Sequence, residues 1–378
     1  MALNLAEVLR EHWPGYARAH ASRLAAPHYR AVRCVLACRT PAMGGRLYRC
    51  NHCRKPHYAY HSCNHRNCPQ CGALDQQIWS ARQEAHLLPA PYFMVTFTLA
   101  SELRSLCLAH PKVLYDLMLR ESAAALSDVI ATKTQGGRSG FTSVLHTWGR
   151  QMQHHPHVHL IVPATALDAK GNNLIHPTND CFLVHYHPLA DRFRSRLHHA
   201  LKESHPRLYA QLSADARRAL APATQWNVQL QPVGRGRAAL RYLARYVQRS
   251  AFHPMRLLGY DPDGKVLLRW TSSDTGRTAV MRLHPHEFIR RWLLHVLPKG
   301  FTRVRHYGFL SSAAKRTRLK IRLLLGELGE PLPKLPEFEA FSCTGCGGRL
   351  SFAREIPRAT PPRGPPIGQW TSRHQKCA

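Results

Sequence analysis

Acidic residues are scarce in this chain of 378 residues: 22 Asp and Glu stand against 53 Lys and Arg, leaving a formal charge of +31 at pH 7. A surplus of that size repels itself unless a polyanion neutralises it, and phosphate backbones are the commonest polyanion in a cell. Nucleic acid is therefore the first expectation, with a ribosomal or membrane-surface role as the bland alternative. Long apolar runs are also missing. No stretch of 18 or more apolar residues occurs, which excludes a bilayer-spanning helix and any membrane partner that needs one. The first ten residues lack the basic region and apolar stretch of a secretory signal and read as an amphipathic helix, so a cytoplasmic protein is expected. No Gly-x4-Gly-Lys-Ser/Thr loop is present, so nucleotide hydrolysis is not the expected driving force. No internal repeat or long low-complexity tract occurs, and the apolar fraction of 44% is that of a globular protein.

Cysteine, by contrast, is plentiful, with 12 in the chain. In a reducing compartment such a number argues for metal binding over disulfides. Cys50-Asn-His-Cys53 and Cys68-Pro-Gln-Cys71 are two knuckles that can converge on one tetrahedral ion, and Zn2+ suits four thiolates best. Residues 37–75 hold too few aliphatic side chains for a core of their own, so a metal is needed to fold them. Cys38 and Cys63 could serve a second zinc together with one or two of His52, His57, His61 and His65. Near the end of the chain, Cys343-Thr-Gly-Cys346 could join His374 and Cys377 in a further zinc site, or remain a lone knuckle. Cys107 and Cys181 read as isolated thiols.

Five consecutive segments follow from composition: a helical segment 1–36, a zinc-binding, DNA-binding domain 37–90, a catalytic core 91–250 with an insertion at about 165–222, a β/α and basic region 251–330, and a Pro-rich tail 331–378. Within the core, residues 92–99 read as a strand, 102–132 as a helix, 141–148 and 157–162 as a hairpin, 226–230 as a strand and 237–249 as a helix. That order suggests an α+β fold, an antiparallel sheet with helices on one face. The basic run Lys315–Lys320 reads as a phosphate-contacting helix face.

Two patterns inside the core carry chemistry. In His155-Pro-His157-Val-His159, residues two apart on a strand share a face, so His157 and His159 can hold one divalent ion with positions left open for phosphate oxygens. His146 on the neighbouring strand is the candidate third ligand, with His154 and His155 as alternates. In Arg241-Tyr242-Leu-Ala-Arg245-Tyr246-Val, the tyrosines lie at i and i+4, which presents two phenols side by side on a helix. Either pattern could instead be ordinary packing. Arg241, Arg245 and Arg249 repeat with the same spacing and offer a stripe to a strand of phosphates. Together, a His-bound metal and a phenol pair in a basic protein match one reaction class: tyrosine attack on a metal-activated phosphodiester.

The chain resembles the rolling-circle-type insertion-sequence transposases of the IS-ninety-one-type group, two-tyrosine HUH endonucleases. The resemblance rests on His157-Val-His159, Tyr242-x3-Tyr246, the Cys38, Cys50-x2-Cys53, Cys63 and Cys68-Pro-Gln-Cys71 series, His146-Thr-Trp-Gly149 and Arg305-His-Tyr-Gly308. One departure is Asn67, where the group's pattern leads us to expect histidine. The resemblance implies an HUH core with helices flanking an antiparallel sheet, and structural zinc at the N-terminal cysteines. It implies catalytic Mg2+ or Mn2+ on His157 and His159, and Tyr242 and Tyr246 as nucleophiles. The implied substrate is single-stranded DNA or hairpin ends of a mobile element, cut and rejoined through a 5′-phosphotyrosine. A non-catalytic zinc-dependent DNA-binding protein, or an initiator or relaxase nickase, would share many of these residues. The sequence assigns no oligomeric state.

Overall fold

The computed structural model describes residues 3–175, 184–222, 224–247, 251, 253–272, 275–329, 331–336 and 341–359; the side chains of Arg245 and Tyr246 lie outside that description. The protein mixes helices with sheets, and every strand pairing among the described residues is antiparallel. No helix among the described residues is long and apolar enough to cross a membrane. Instead of five consecutive segments, the fold consists of two units built from separated stretches. One comprises Met1–Gly72, Phe252–Val296 and Glu337–Ala378, the other Ala73–Ala251 and Leu297–Pro336. The division is non-contiguous because strand pairing draws distant stretches together.

The larger unit is organised by a five-stranded sheet of β1 (Tyr92–Thr98), β2 (Gly140–Trp148), β3 (His154–Pro163), β4 (Val228–Pro232) and β5 (Val304–Gly308). The spatial order is β5-β2-β3-β1-β4, which puts the β2–β3 hairpin in the interior of the sheet. Side chains alternate between faces along each strand. Phe93, Val95, Phe97, Leu145, Val158, Leu160 and Val162 point to one face, where they pack on the long helix Pro111–Lys133 and the helix Tyr186–His199. Each such buried side chain contributes roughly 1.5–3 kcal/mol of transfer free energy. The expected single helix over 102–132 is divided: a short helix Arg104–Ala109 ends at His110, and Pro111 starts the next as its first residue, a position that needs no N–H partner.

The opposite face is also covered, which corrects the one-faced arrangement expected from the sequence. The helix α1 (Arg237–Val247) lays Ala239, Leu240, Leu243 and Val247 against Val144 and Ile161. A helix with so strong an apolar stripe has to bury it, and the second sheet face is the surface that accepts it. Two polar ties hold α1 in place. Arg241 grips Glu84 with two hydrogen bonds of 2.9 and 3.3 Å, and buried Arg303 donates to the Val247 carbonyl in the last turn.

The smaller unit contains the helices Leu5–Ala19, Ala26–Ala37 and Pro285–Leu293. The first begins with a capping box between Asn4 and Glu7. One three-stranded sheet places Gly45–Cys50 between Pro56–Tyr60 and Leu350–Ile356; another places Val266–Thr271 between Leu257–Tyr260 and Thr278–Leu283. The strand Leu350–Ile356 was not foreseen in the tail. Its alternation is short and broken by Arg354, its side chains are largely exposed, and its partner strand is some three hundred residues away. Asn67 has a structural place here. It is buried, donates to the His295 carbonyl at 3.1 Å, and its own carbonyl accepts from Trp292 Nε1 at 3.1 Å.

Candidate active site and thiolate clusters

Strand alternation assembles the histidines. Thr142, Val144 and His146 of β2, His157, His159 and Ile161 of β3, and Thr96 of β1 have the parity that faces α1, opposite to the residues of the main core. The register pairs His146 with His157 across the hairpin and His159 with Thr96 on the other side. A bulge between His146 and Trp148 re-aims the end of β2 beside the cluster. One ring nitrogen from each of His146, His157 and His159 lies within 4.8 Å of the others, and no carboxylate belongs to the group. The alternates are engaged otherwise: His154 Nε2 meets the Tyr115 hydroxyl at 2.9 Å, and His155, whose ring lies beside that of His157, meets Arg104 through Nδ1 at 3.0 Å.

Hydrogen bonds orient two of the rings. His157 Nδ1 lies 2.7 Å from the His155 carbonyl, which can only accept, so Nδ1 carries the proton and the Nε2 lone pair remains for a metal. His159 Nδ1 bonds Thr96 Oγ1 at 2.9 Å, while its buried Nε2 has no hydrogen-bond partner among the described residues. This is the arrangement of a metal-ligating histidine, one nitrogen held and the other aimed at the ion. Sequence reasoning does not single out Thr96; the readable signal is a polar residue between Val95 and Phe97 in a largely apolar strand.

Burial holds all three rings neutral at physiological pH. It pushes His146 and His159 well below the usual histidine range and brings His157 down from 6.5 to about 4. A neutral imidazole is the form that binds metal. The metal-free protein should therefore lose stability as pH falls from 6.5, where the unfolded chain takes up a proton, to about 4, where folded His157 follows. For this residue the loss amounts to roughly 3 kcal/mol. Denaturant midpoints across that window check the sign: the wild type should fall more steeply than His157→Gln.

The tyrosine helix stands over the same face. The rings of Tyr242 and His159 are 6.4 Å apart between centroids, nearly perpendicular, and Tyr242 is exposed. The side chains of Tyr246 and Arg245, and the whole of Arg249, lie outside the described residues. Arg241, expected on the phosphate-facing stripe, is committed to Glu84.

The cysteines group differently from the expectation. Cys50-x2-Cys53 and Cys68-x2-Cys71 do not converge on each other. Cys68 and Cys71 meet Cys38 and Cys63, and Cys50 and Cys53 meet Cys343 and Cys346, each set with its sulfurs within 4.8 Å of one another. The chain path explains the exchange. The first knuckle sits in the turn between Gly45–Cys50 and Pro56–Tyr60, whereas the loop after that hairpin returns to the end of helix Ala26–Ala37, where Arg39 N–H bonds the His61 carbonyl at 3.1 Å. There Cys71 Sγ lies 3.1 Å from Cys38 and 3.6 Å from Cys63. No histidine completes either set among the described residues. His374 and Cys377, the candidate partners of Cys343 and Cys346, lie outside the described residues, as does Cys181. Cys107 is buried in the main core, as an isolated thiol should be. Of the basic helix Lys315–Leu324, Lys315, Arg316 and Lys320 are exposed, while buried Arg322 donates to the Ala85 carbonyl at 2.9 Å.

A family model described as "Putative transposase" matches residues 140–318, and one described as "Transposase zinc-binding domain" matches residues 8–99. The chain is 34% identical over 344 residues to "Putative transposase y4qJ" of Sinorhizobium fredii, covering 87% of this chain and 85% of that protein. It is 29% identical over 342 residues to "Transposase for insertion sequence element IS801" of Pseudomonas savastanoi pv. phaseolicola, covering 85% and 82%. No solved structure matches the chain.

Proposed function

Because the chain belongs to the IS91-type family of insertion-sequence transposases, and so handles DNA through a protein with a zinc-binding domain, we propose that it nicks and rejoins single-stranded DNA with Tyr242 as nucleophile beside a metal held by His146, His157 and His159. On this reading the five-stranded sheet and its flanking helices are an HUH-endonuclease core. The observation that carries the proposal is the convergence of three neutral imidazoles on the sheet face that Tyr242 overhangs.

The donor set fits a divalent ion, since one nitrogen of each oriented ring is held while the other is available. Three uncharged ligands favour Mn2+ over the harder Mg2+. When bound, such an ion would withdraw charge from a phosphate oxygen and leave phosphorus open to attack. The residues do the rest. Tyr242 Oη forms a bond to phosphorus as the bond from phosphorus to the 3′ oxygen breaks, and the leaving oxygen ends as a 3′-hydroxyl. Phosphodiester energy is retained in the 5′-phosphotyrosine, so rejoining needs no nucleotide triphosphate. Tyr246, one turn further along the helix, would serve a second transfer. Cys38, Cys63, Cys68 and Cys71 would bind structural zinc in the region matched by the zinc-binding model.

A labelled single-stranded oligonucleotide library, incubated with the protein and Mn2+ or Mg2+, tests this reading on a denaturing gel. Metal-dependent protein–DNA adducts are expected. Cleavage without an adduct would indicate hydrolysis, and binding without either would indicate a DNA-binding protein that performs no chemistry. Thr96→Val should weaken Mn2+ binding by about 10–100-fold through loss of the support to His159. Mn2+ titration followed by electron paramagnetic resonance measures this directly.

A further inference from the structure

The second thiolate cluster lies outside the chemistry proposed above, and half of it, Cys343 and Cys346, lies beyond the residues matched by the zinc-binding model. We propose that Cys50, Cys53, Cys343 and Cys346 bind a zinc ion of their own, which clasps residues 341–359 onto the strand Gly45–Cys50 within the smaller unit.

The backbone brings the two knuckles together. Gly45–Cys50 and Leu350–Ile356 pair antiparallel, with Cys50 opposite Leu350. Asn51 N–H then bonds the Arg349 carbonyl at 3.0 Å and extends the pairing into the first knuckle. The second knuckle is a tight turn. Cys343 N–H bonds the Gly348 carbonyl at 2.7 Å, and Gly347 N–H bonds the Cys343 carbonyl at 2.8 Å. Two Cys-x2-Cys turns at adjoining strand ends are the framework of a four-thiolate zinc site.

Sulfur geometry agrees. Cys50 Sγ lies 3.5 Å from Cys346 Sγ, and Cys53 Sγ lies 3.7 Å from Cys343 Sγ. Tetrahedral zinc with bonds of about 2.3 Å separates its sulfurs by about 3.8 Å. The surroundings suit thiolates. His52 and Cys53 N–H groups each point at Cys50 Sγ from 3.4 Å, and His57 Nε2 lies 3.2 Å from Cys343 Sγ. Gly348 is set against the cluster so closely that a Cβ there would come within 3.0 Å of Cys50 Sγ and 2.9 Å of His52 Cβ. Four thiolates fill every position of a tetrahedral ion, as structural zinc sites require, and the glycine lets the second knuckle approach the first this closely.

A strand whose side chains are largely exposed gains little from burial, so something else must hold it. The ion would supply that hold across 296 residues of sequence. In the unfolded chain such a long loop is rarely closed, which is where a cross-link constrains most.

Zinc content of the full-length protein, measured by plasma mass spectrometry, tests the proposal. Two equivalents are expected in the wild type, falling to one in Cys343→Ser/Cys346→Ser. Cys68→Ser/Cys71→Ser should likewise lose one, which reports the other cluster and keeps its failure distinguishable from this one. Because paired serine variants can unfold a small domain, Cys346→His provides a second reading in cobalt-substituted protein. It should retain both equivalents while the visible bands of one site shift from four-sulfur to three-sulfur, one-nitrogen coordination. An unchanged metal content in Cys343→Ser/Cys346→Ser, or an unchanged cobalt spectrum in Cys346→His, would each overturn the proposal.

Discussion

Replacing Tyr242 by Phe should abolish the adduct at that position and lower strand cleavage by at least ~1000-fold, the usual cost of removing a nucleophile. Affinity for uncleaved DNA should stay within about twofold, because a single hydroxyl contributes little beside a basic surface that binds phosphates. The split between chemistry and binding is informative. Tyr242 is exposed, and the apolar stripe of its helix is formed by Ala239, Leu240, Leu243 and Val247, so deleting its oxygen leaves the packing intact. Adduct yield on a denaturing gel and binding by fluorescence anisotropy, measured on the same preparation, separate the two effects. A loss of binding equal to the loss of cleavage would make Tyr242 a contact residue and not a nucleophile.

His159→Ala should be comparably severe, reducing metal-dependent cleavage by ~1000-fold, since several kcal/mol of charge stabilisation depend on the ion. His159 is the ring best prepared to bind. Thr96 holds one nitrogen, and the other is buried without a hydrogen-bond partner among the described residues. Its loss should also raise the Mn2+ concentration for half-maximal activity, and saturating Mn2+ should recover only part of the rate. His155→Ala provides the contrast. That ring bonds Arg104 and does not belong to the three-nitrogen cluster, so Mn2+ dependence should be unchanged. Equal effects of the two substitutions would mean that general loss of structure, and not metal binding, explains both.

The sequence is most informative where chemistry coincides with local periodicity. His157 and His159 share a face because a strand repeats every two residues, and Tyr242 can overhang them because its apolar neighbours dictate which side of the helix is buried. His146 needed one further step, a hairpin register across the turn, and the pairing with His157 is the one found. What is not legible depends on long-range closure. Spacing alone offered Cys50, Cys53, Cys68 and Cys71 as one set, yet the partners of the first pair are Cys343 and Cys346 and those of the second are Cys38 and Cys63. No local rule distinguishes four thiolates that could meet from four that do. Covering both sheet faces was equally hidden, because helix order along the chain does not say on which side each helix lands. Arg241 shows a further limit: a regular stripe of arginines suggested DNA contact, but Glu84 from a separate helix takes up that guanidinium.

The most direct test of the central claim is to identify the atom that becomes attached to DNA. After incubation with Mn2+ and a single-stranded substrate, trypsin cleaves following Arg241, Arg245 and Arg249, so Tyr242 and Tyr246 fall on different peptides that mass spectrometry can distinguish. The account predicts a nucleotide linked to the Tyr242 peptide, absent without metal and absent in His159→Ala. Cleaved DNA with free 5′-phosphate ends, and both tyrosine peptides unmodified, would contradict it.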